Sequence, residues 1–214
     1  MIKGIIFDLD GVITDTAEYH YLGWKKMAEE EGLIFNRELN EKLRGVSRTR
    51  SLEIILEYNG KELSEKKRME LCLRKNLYYV QSLDKINEGD FLPGIRDLIV
   101  SLKGRNIKTA IASASKNAKR VIDNLNANNL FDFIADGFSV ETTKPAPDLF
   151  LYTAEKIDCL PSECVVFEDA EAGIEAAING GFKSVGIGPD ERIGRATIRY
   201  KHTSTIDIER VLTL

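Results

Sequence analysis

Cysteine is scarce, with Cys72, Cys159 and Cys164 the only three in 214 residues. An odd count without zinc-type spacing excludes a disulfide framework and a cysteine metal site, and predicts reduced, partly buried thiols. Long apolar runs are missing too. None approaches the ~20 residues that span a bilayer, and no signal-peptide pattern precedes the first apolar residues, so the expected compartment is the cytoplasm, with no membrane partner. No block of one charge stands out: 30 basic and 34 acidic side chains are mixed along the chain, for a net charge of −4. That excludes the basic face by which proteins grip nucleic acid. Internal repeats, low-complexity runs and long linkers are also absent, which leaves one large domain or a domain carrying an insertion.

Apolar residues make up 43% of the chain, enough for a sizeable core. The informative stretch is Gly4 to Thr16, GIIFDLDGVITDT. Ile5, Ile6 and Phe7 read as a strand buried on both faces of a parallel sheet. Asp8 and Asp10 follow at its carboxyl end, where open α/β sheets bind ligands, and Gly11 permits a sharp turn. Two carboxylates so placed suit a hard cation such as Mg²⁺, or a nucleophile beside a general acid/base. A solvated turn after a strand is the plain alternative.

A helix capped by Asp15 or Thr16 follows, with Ala17, Tyr21, Trp24 and Ala28 at helical spacing and Gly32 as its stop. Helical patterns continue over 36–43, 47–58 and 64–83. In the last of these Met69, Cys72, Leu73, Leu77 and Val80 form one apolar stripe. A block of this size is too small to be comfortable alone, so 16–83 is expected to be an insertion over the mouth of the sheet. From Phe91 strands and helices alternate: helix to Leu102, strand 107–113, helix 117–125, strand 133–135, helix 147–157, strand 164–167, helix 170–179 and strand 183–187. The tail from Ile193 is weakly patterned, with a last helix expected over 206–212. The expected fold is α/β: a Rossmann-like parallel-sheet core, 1–15 and 84–214, carrying an all-helical cap.

In a parallel sheet the carboxyl ends of the strands share one edge. That gathers Asp8 and Asp10, Ser113 with Ala114, Ser115, Lys116 and Asn117, Lys144, and Glu168 with Asp169. Carboxylates, a hydroxyl and an ammonium in this order are the set that phosphoryl transfer needs. Each alone has a plainer reading: Ser113 as a turn residue, Lys144 as surface charge, Glu168-Asp169 as acids at a helix N-terminus.

Through FDLDGVITDT, IASAS, TTKPAPD and FEDAEAGI the chain resembles the haloacid dehalogenase superfamily of phosphotransferases, over essentially its whole length. DLDGVITDTAEYH, Trp24, Gly45-Val46-Ser47-Arg48, Arg74-Lys75-Asn76 and ASASKN are similar to a mutase branch of that superfamily, which exchanges the 1- and 6-phosphates of β-glucose. The resemblance implies Asp8 as nucleophile and Asp10 as general acid/base. It implies Mg²⁺ held by Asp8, Asp10 through its carbonyl, Glu168 and Asp169. Ser113, Ala114 and Lys144 would hold the transferring phosphate. Arg48, Ser115, Lys116 and Asn117 would hold the phosphate at the far end of the sugar, with Gly45, Val46 and Trp24 beside the substrate. Thr16, His20 and Lys75 would tie cap closure to Asp10.

The implied partner is a small sugar phosphate and the expected state a monomer. General phosphatases share the four core motifs, so a small-phosphate phosphatase is the alternative; an idle ligand-binding protein ranks below both. Ala170 departs from the family, many of whose members carry Ser there. His20 and Trp24 could simply pack, Lys75 could belong to a solvated basic face, and Arg44 or Arg50 could stand in for Arg48.

Overall fold

A computed structural model describes residues 1–214. Six strands, β1 (Gly4–Phe7), β2 (Lys108–Ala112), β3 (Phe133–Ala135), β4 (Cys164–Glu168), β5 (Lys183–Ile187) and β6 (Ile198–Tyr200), form one parallel sheet in the order β3-β2-β1-β4-β5-β6. The order reverses beside β1, so the crevice expected of doubly wound sheets opens at the ends of β1 and β4. Phe7 pairs with Phe167, and Asp8 N–H donates to Phe167 C=O at 2.9 Å. That register sets Asp8 alongside Glu168.

Alternation along the strands divides the core. Ile5, Phe7, Ile111, Val165 and Phe167 face one buried layer, and Ile6, Ala110, Ala112 and Val166 face the other. Helices α5 (Ile95–Gly104) and α6 (Ala118–Asn124) cover the first, and α7 (Asp148–Lys156) and α8 (Glu171–Asn179) the second. Between β1 and α5 lies the helical cap: α1 (Ala17–Glu30), α2 (Arg37–Glu41), α3 (Arg48–Tyr58) and α4 (Glu65–Leu83). It has its own apolar centre in Trp24, Met27, Leu39, Leu52, Ile55 and Leu71. Asn36, Ser47 and Ser64 cap α2, α3 and α4 through side-chain oxygens that accept backbone N–H bonds, each contributing about 1 kcal/mol.

Three expectations change. The buried face of α4 is Leu71, Lys75, Tyr79 and Leu83, whereas Met69, Leu73 and Leu77 are exposed. Both rows repeat every four residues, and packing against α1 selects the one that carries Tyr79. At the start of α1, Thr16 takes the expected N-cap position, but its hydroxyl donates to Asp10 rather than capping, and Asp15 Oδ1 accepts the Ala17 N–H. The tail holds β6 as well as two short helices, α9 (Asp190–Ile193) and α10 (Ile208–Leu212). Three residues, Ile-Arg-Tyr, in a polar neighbourhood carry no period that would reveal an edge strand.

Candidate active site

The cap and the carboxyl ends of the strands enclose a cavity of about 550 Å³. Asp8, Asp10, Ser113, Ala114, Ser115, Lys116, Asn117 and Asp169 line it from the sheet side. His20, Trp24, Gly45, Val46, Arg48 and Lys75 line it from the cap. Three more expected residues, Thr16, Lys144 and Glu168, lie fully buried behind this wall.

The sheet side is buried and tightly bonded. Lys144 Nζ is 2.5 Å from Asp8 Oδ1, 2.5 Å from Glu168 Oε1 and 3.0 Å from the Ala112 carbonyl oxygen. Burial works against its charge, but Asp8 and Glu168 outweigh burial and hold the ammonium above the ordinary lysine range. Glu168 is pushed up to about 7 by burial, against the pull of Lys144. Its other oxygen accepts the backbone N–H groups of Asp169 and Ala170, at 2.9 and 3.0 Å. Only a glycine fits at 173, because a side chain there would collide with the Glu168 carboxylate.

Asp8, Glu168 and Asp169 can each bring one carboxylate oxygen within 4.8 Å of the others. Burial, then Glu168 and Asp8, raises Asp169 well above the usual carboxylate range. Arg44 Nη1 and Arg192 Nη1 both donate to Asp169 Oδ2, at 3.2 and 3.1 Å. Such a crowded anionic set fits a hard divalent cation, since oxygen donors and excess negative charge are what it selects. At Gly11, φ is +84°, and a side chain would strike Asp169. The Asp10 carboxylate lies outside this cluster.

The cap side is looser. The Thr16 hydroxyl donates to Asp10 Oδ1, and His20 Nε2 lies 3.8 Å from Asp10 Oδ2. Lys75 Nζ is 2.9 Å from His20 Nδ1, and stands over the rings of Trp24 and Tyr79 at 5.1 and 4.7 Å. Burial, then the nearby Asp8 charge, lifts Asp10 to about 6. Burial, then Arg48, lowers Lys75 to about 7. Burial, then Lys75, holds His20 well below its usual value, so the ring is neutral. A charged Lys75 can only donate to Nδ1, which puts the ring proton on Nε2, facing Asp10. That Nε2 is buried without a hydrogen-bond partner. An approach of about 1 Å would complete the bond.

Among the three neighbouring arginines the structure discriminates. Arg50 pairs with Glu53 and Glu57 on the surface, and Arg44 holds Asp169 and Glu41. Arg48 lines the cavity, partly desolvated by burial. Opposite it, Ser113 Oγ accepts the Ser115 N–H at 3.1 Å, and Asn117 Nδ2 donates to Asn76 of α4 at 2.9 Å.

The family description "haloacid dehalogenase-like hydrolase" matches residues 2–181. The chain belongs to this family. A β-phosphoglucomutase of Bacillus subtilis (strain 168) is 42% identical over 210 residues, covering 97% of this chain and 93% of that protein. A fructose-1-phosphate phosphatase of Escherichia coli (strain K12) is 31% identical over 185 residues, covering 86% and 95%. The crystal structure of a β-phosphoglucomutase from Clostridium difficile superposes with a TM-score of 0.96 at 41% identity, covering all of this chain and 96% of that one. Family membership implies a divalent metal, and Asp8, Glu168 and Asp169 supply donors of the right kind. No helix is long and apolar enough to cross a membrane.

Sequence reasoning named Arg44 only as a stand-in for Arg48, not as a partner of Asp169, and did not name Arg192 at all. Arg44 lies one residue before Gly45, within a stretch already singled out. Arg192 stands just before the weakly patterned tail, where no motif points to it. Tyr79 was missed as well: it lines the cavity and packs against His20 at a tilt of 38°, with ring centroids 4.0 Å apart.

Proposed function

We propose that the chain is a β-phosphoglucomutase, interconverting β-D-glucose 1-phosphate and glucose 6-phosphate through a phosphorylated Asp8 and β-glucose 1,6-bisphosphate. The observation that carries this reading is the cap-side assembly. Thr16, His20 and Lys75 converge on Asp10, while Arg48 lines the same cavity as Asp8 and Ser113. The 42% identity to the Bacillus enzyme supports it.

In the first transfer the sugar 6-hydroxyl attacks the phosphorus held on Asp8. Asp10 takes the hydroxyl proton as the new O–P bond forms and the bond to the Asp8 oxygen breaks. In the second, the freed Asp8 carboxylate attacks the 1-phosphate of the bisphosphate. The O–P bond at C1 breaks, and Asp10 returns its proton to the departing O1. An Asp10 that titrates at about 6 is suited to both directions near neutrality.

Ser113, the Ala114 backbone and Lys144 hold the transferring phosphate; Arg48, Ser115, Lys116 and Asn117 hold the other, with Gly45, Val46 and Trp24 along the sugar. Mg²⁺ is the metal of this reading, with Asp8, Asp169, Glu168 and the Asp10 carbonyl as its donors; when bound it offsets the charge between the carboxylate nucleophile and the phosphate. The cap, residues 16–83, excludes water and brings His20 to Asp10 only around substrate. The enzyme acts as a cytoplasmic monomer, with no membrane or nucleic-acid partner.

A ³¹P NMR time course with β-glucose 1-phosphate, Mg²⁺ and a trace of β-glucose 1,6-bisphosphate tests the reading. Glucose 6-phosphate grows with little inorganic phosphate if it holds. The likeness to the fructose-1-phosphate phosphatase supports a second reading, in which water attacks Asp8-phosphate; inorganic phosphate then dominates.

A further inference from the structure

Asp169 divides two cavities. Behind the large one lies a second of about 290 Å³, which shares Arg44 and Asp169 with it and has no other lining residue of the proposed reaction. Its walls come from the turn at Gly11, from Ile187 at the end of β5 and Gly188 after it, from Arg192 of α9, and from residues 201–204. Four groups able to carry positive charge face it, Arg44, Arg192, Lys201 and His202, against two carboxylates, Asp15 and Asp169. Both carboxylates are already engaged. Asp15 accepts the Ala17 N–H, and Asp169 Oδ2 takes both guanidiniums.

The guanidiniums are not saturated in return. Arg192 donates to Asp169 through Nη1, and its Nε is buried without any acceptor. A buried donor left unpaired costs about 1–3 kcal/mol, so a charged partner has a clear gain to offer. Gly188, at φ +126°, lets this guanidinium lie close: a Cβ there would stand 3.2 Å from Arg192 Nη2. Lys201 is exposed at the rim, where its ammonium can swing inward, and Ser204 adds a hydroxyl. Only two of the thirteen lining residues are hydrophobic, which argues against an apolar ligand.

We propose that this second cavity binds the phosphate group of a small phosphorylated molecule, or inorganic phosphate, at Arg192 and Lys201. Planar guanidinium forks and a mobile ammonium are the donors that tetrahedral oxyanions select. An anion there draws on the same guanidiniums that now neutralise Asp169, so its occupancy is linked to the charge state of the first cavity.

Amide ¹H–¹⁵N spectra of the full chain, titrated with inorganic phosphate, test the site. Gly188 and Ser204 should shift and saturate. Lys201→Met, at an exposed position, should weaken that response about fivefold, and adding Arg192→Met should remove it. Ser115 and Asn117 report the first cavity separately and should respond alike in the wild type and Lys201→Met, whereas Arg192→Met, which takes a guanidinium from Asp169, should weaken their response. Still Gly188 and Ser204 signals through about 50 mM phosphate, well past a millimolar Kd, overturn the proposal. So does an unchanged response in the double variant. Movement of Gly188 and Ser204 with silent Ser115 and Asn117 supports the second site while removing phosphate binding from the first.

Discussion

Two lysines in this molecule are buried beside carboxyl groups, and their surroundings drive them in opposite directions. Lys144 sits under the sheet edge with two carboxylates at 2.5 Å and is held above the ordinary lysine range. Lys75, on the cap, meets a neutral imidazole, two aromatic faces and the repulsion of Arg48, and falls to about 7. In the first cluster the ammonium donates to three oxygens and no donor is left free. The second has an unbonded imidazole nitrogen 3.8 Å from Asp10 and is one small movement from completion. A fixed half that grips phosphate and a movable half that delivers a proton is the division of labour that a water-excluding mutase requires.

Breaking the fixed half should have the largest effect. Lys144→Met leaves Asp8 and Glu168 buried side by side with no cation, which costs about 3–5 kcal/mol of stability and, on the proposed mechanism, abolishes turnover. Urea unfolding reads the loss, and added Mg²⁺ should recover part of it by restoring a positive charge at Asp8. Equal stability with and without Lys144 would show that the two carboxyls share a proton instead.

Breaking the movable half should spare stability and strike rate. Asp10→Asn keeps the Thr16 contact in reach and leaves no buried charge stranded, yet it removes the acid/base. Both half-reactions should slow by ~10²–10⁴-fold, followed as single turnovers of Asp8 phosphorylated by a small donor. Unchanged turnover would take Asp10 out of the chemistry.

Proton linkage separates the lysines without any rate measurement. Lys75 titrates at about 7 when folded and near 10.5 when unfolded, so the unfolded chain holds the extra proton between those values. Its penalty is absent above pH 10.5, grows as pH falls, and is complete below about 7. Stability should therefore rise with pH across 7–10.5, by at most about 1.4 kcal/mol per pH unit from this group. Lys75→Met should flatten that slope in urea midpoints taken at pH 7 and 9. Lys144, raised on folding, works the other way: its contribution is complete below pH 10.5 and fades only above.

The fixed half was far more legible in the sequence than the movable one. Asp8, Lys144, Glu168 and Asp169 end strands or lead from them, and parallel topology alone brings strand ends to one edge. Tertiary packing chose the cap geometry. The α4 stripe of Met69, Leu73 and Leu77 has the same four-residue repeat as the buried row Leu71, Lys75, Tyr79 and Leu83, and no periodicity tells them apart. A lysine in the buried row argues for the wrong choice, because burial of that charge is supported by His20, two rings and the Asp10 charge, none of which sequence can bring near. Arg192 was illegible for a different reason. Its partner is 23 residues away, and nothing in the tail between Pro189 and Tyr200 marks the turn that returns it to Asp169.

The smallest effect sharpens the contrast, because it touches the fixed half while leaving the cap residues around Asp10 untouched. Ala170 is the N-cap of α8, in extended backbone with φ −125° and ψ 147°, and no side chain caps that helix. Serine at such a position accepts a hydrogen bond from one of the first free N–H groups of the helix, here within the turn that holds Glu168 and Asp169. Ala170→Ser should stabilise the chain by about 0.5–1 kcal/mol, measured as a higher urea midpoint with unchanged slope. Space is the opposing term: a Cβ at Gly45 of the cap would lie only 3.0 Å from Ala170 Cβ, so this glycine rests almost against the site of the added oxygen. If the cap yields by a few tenths of an ångström, capping wins and stability rises. If it does not, the midpoint falls, and the cap must sit more rigidly on the metal loop than a movable half allows.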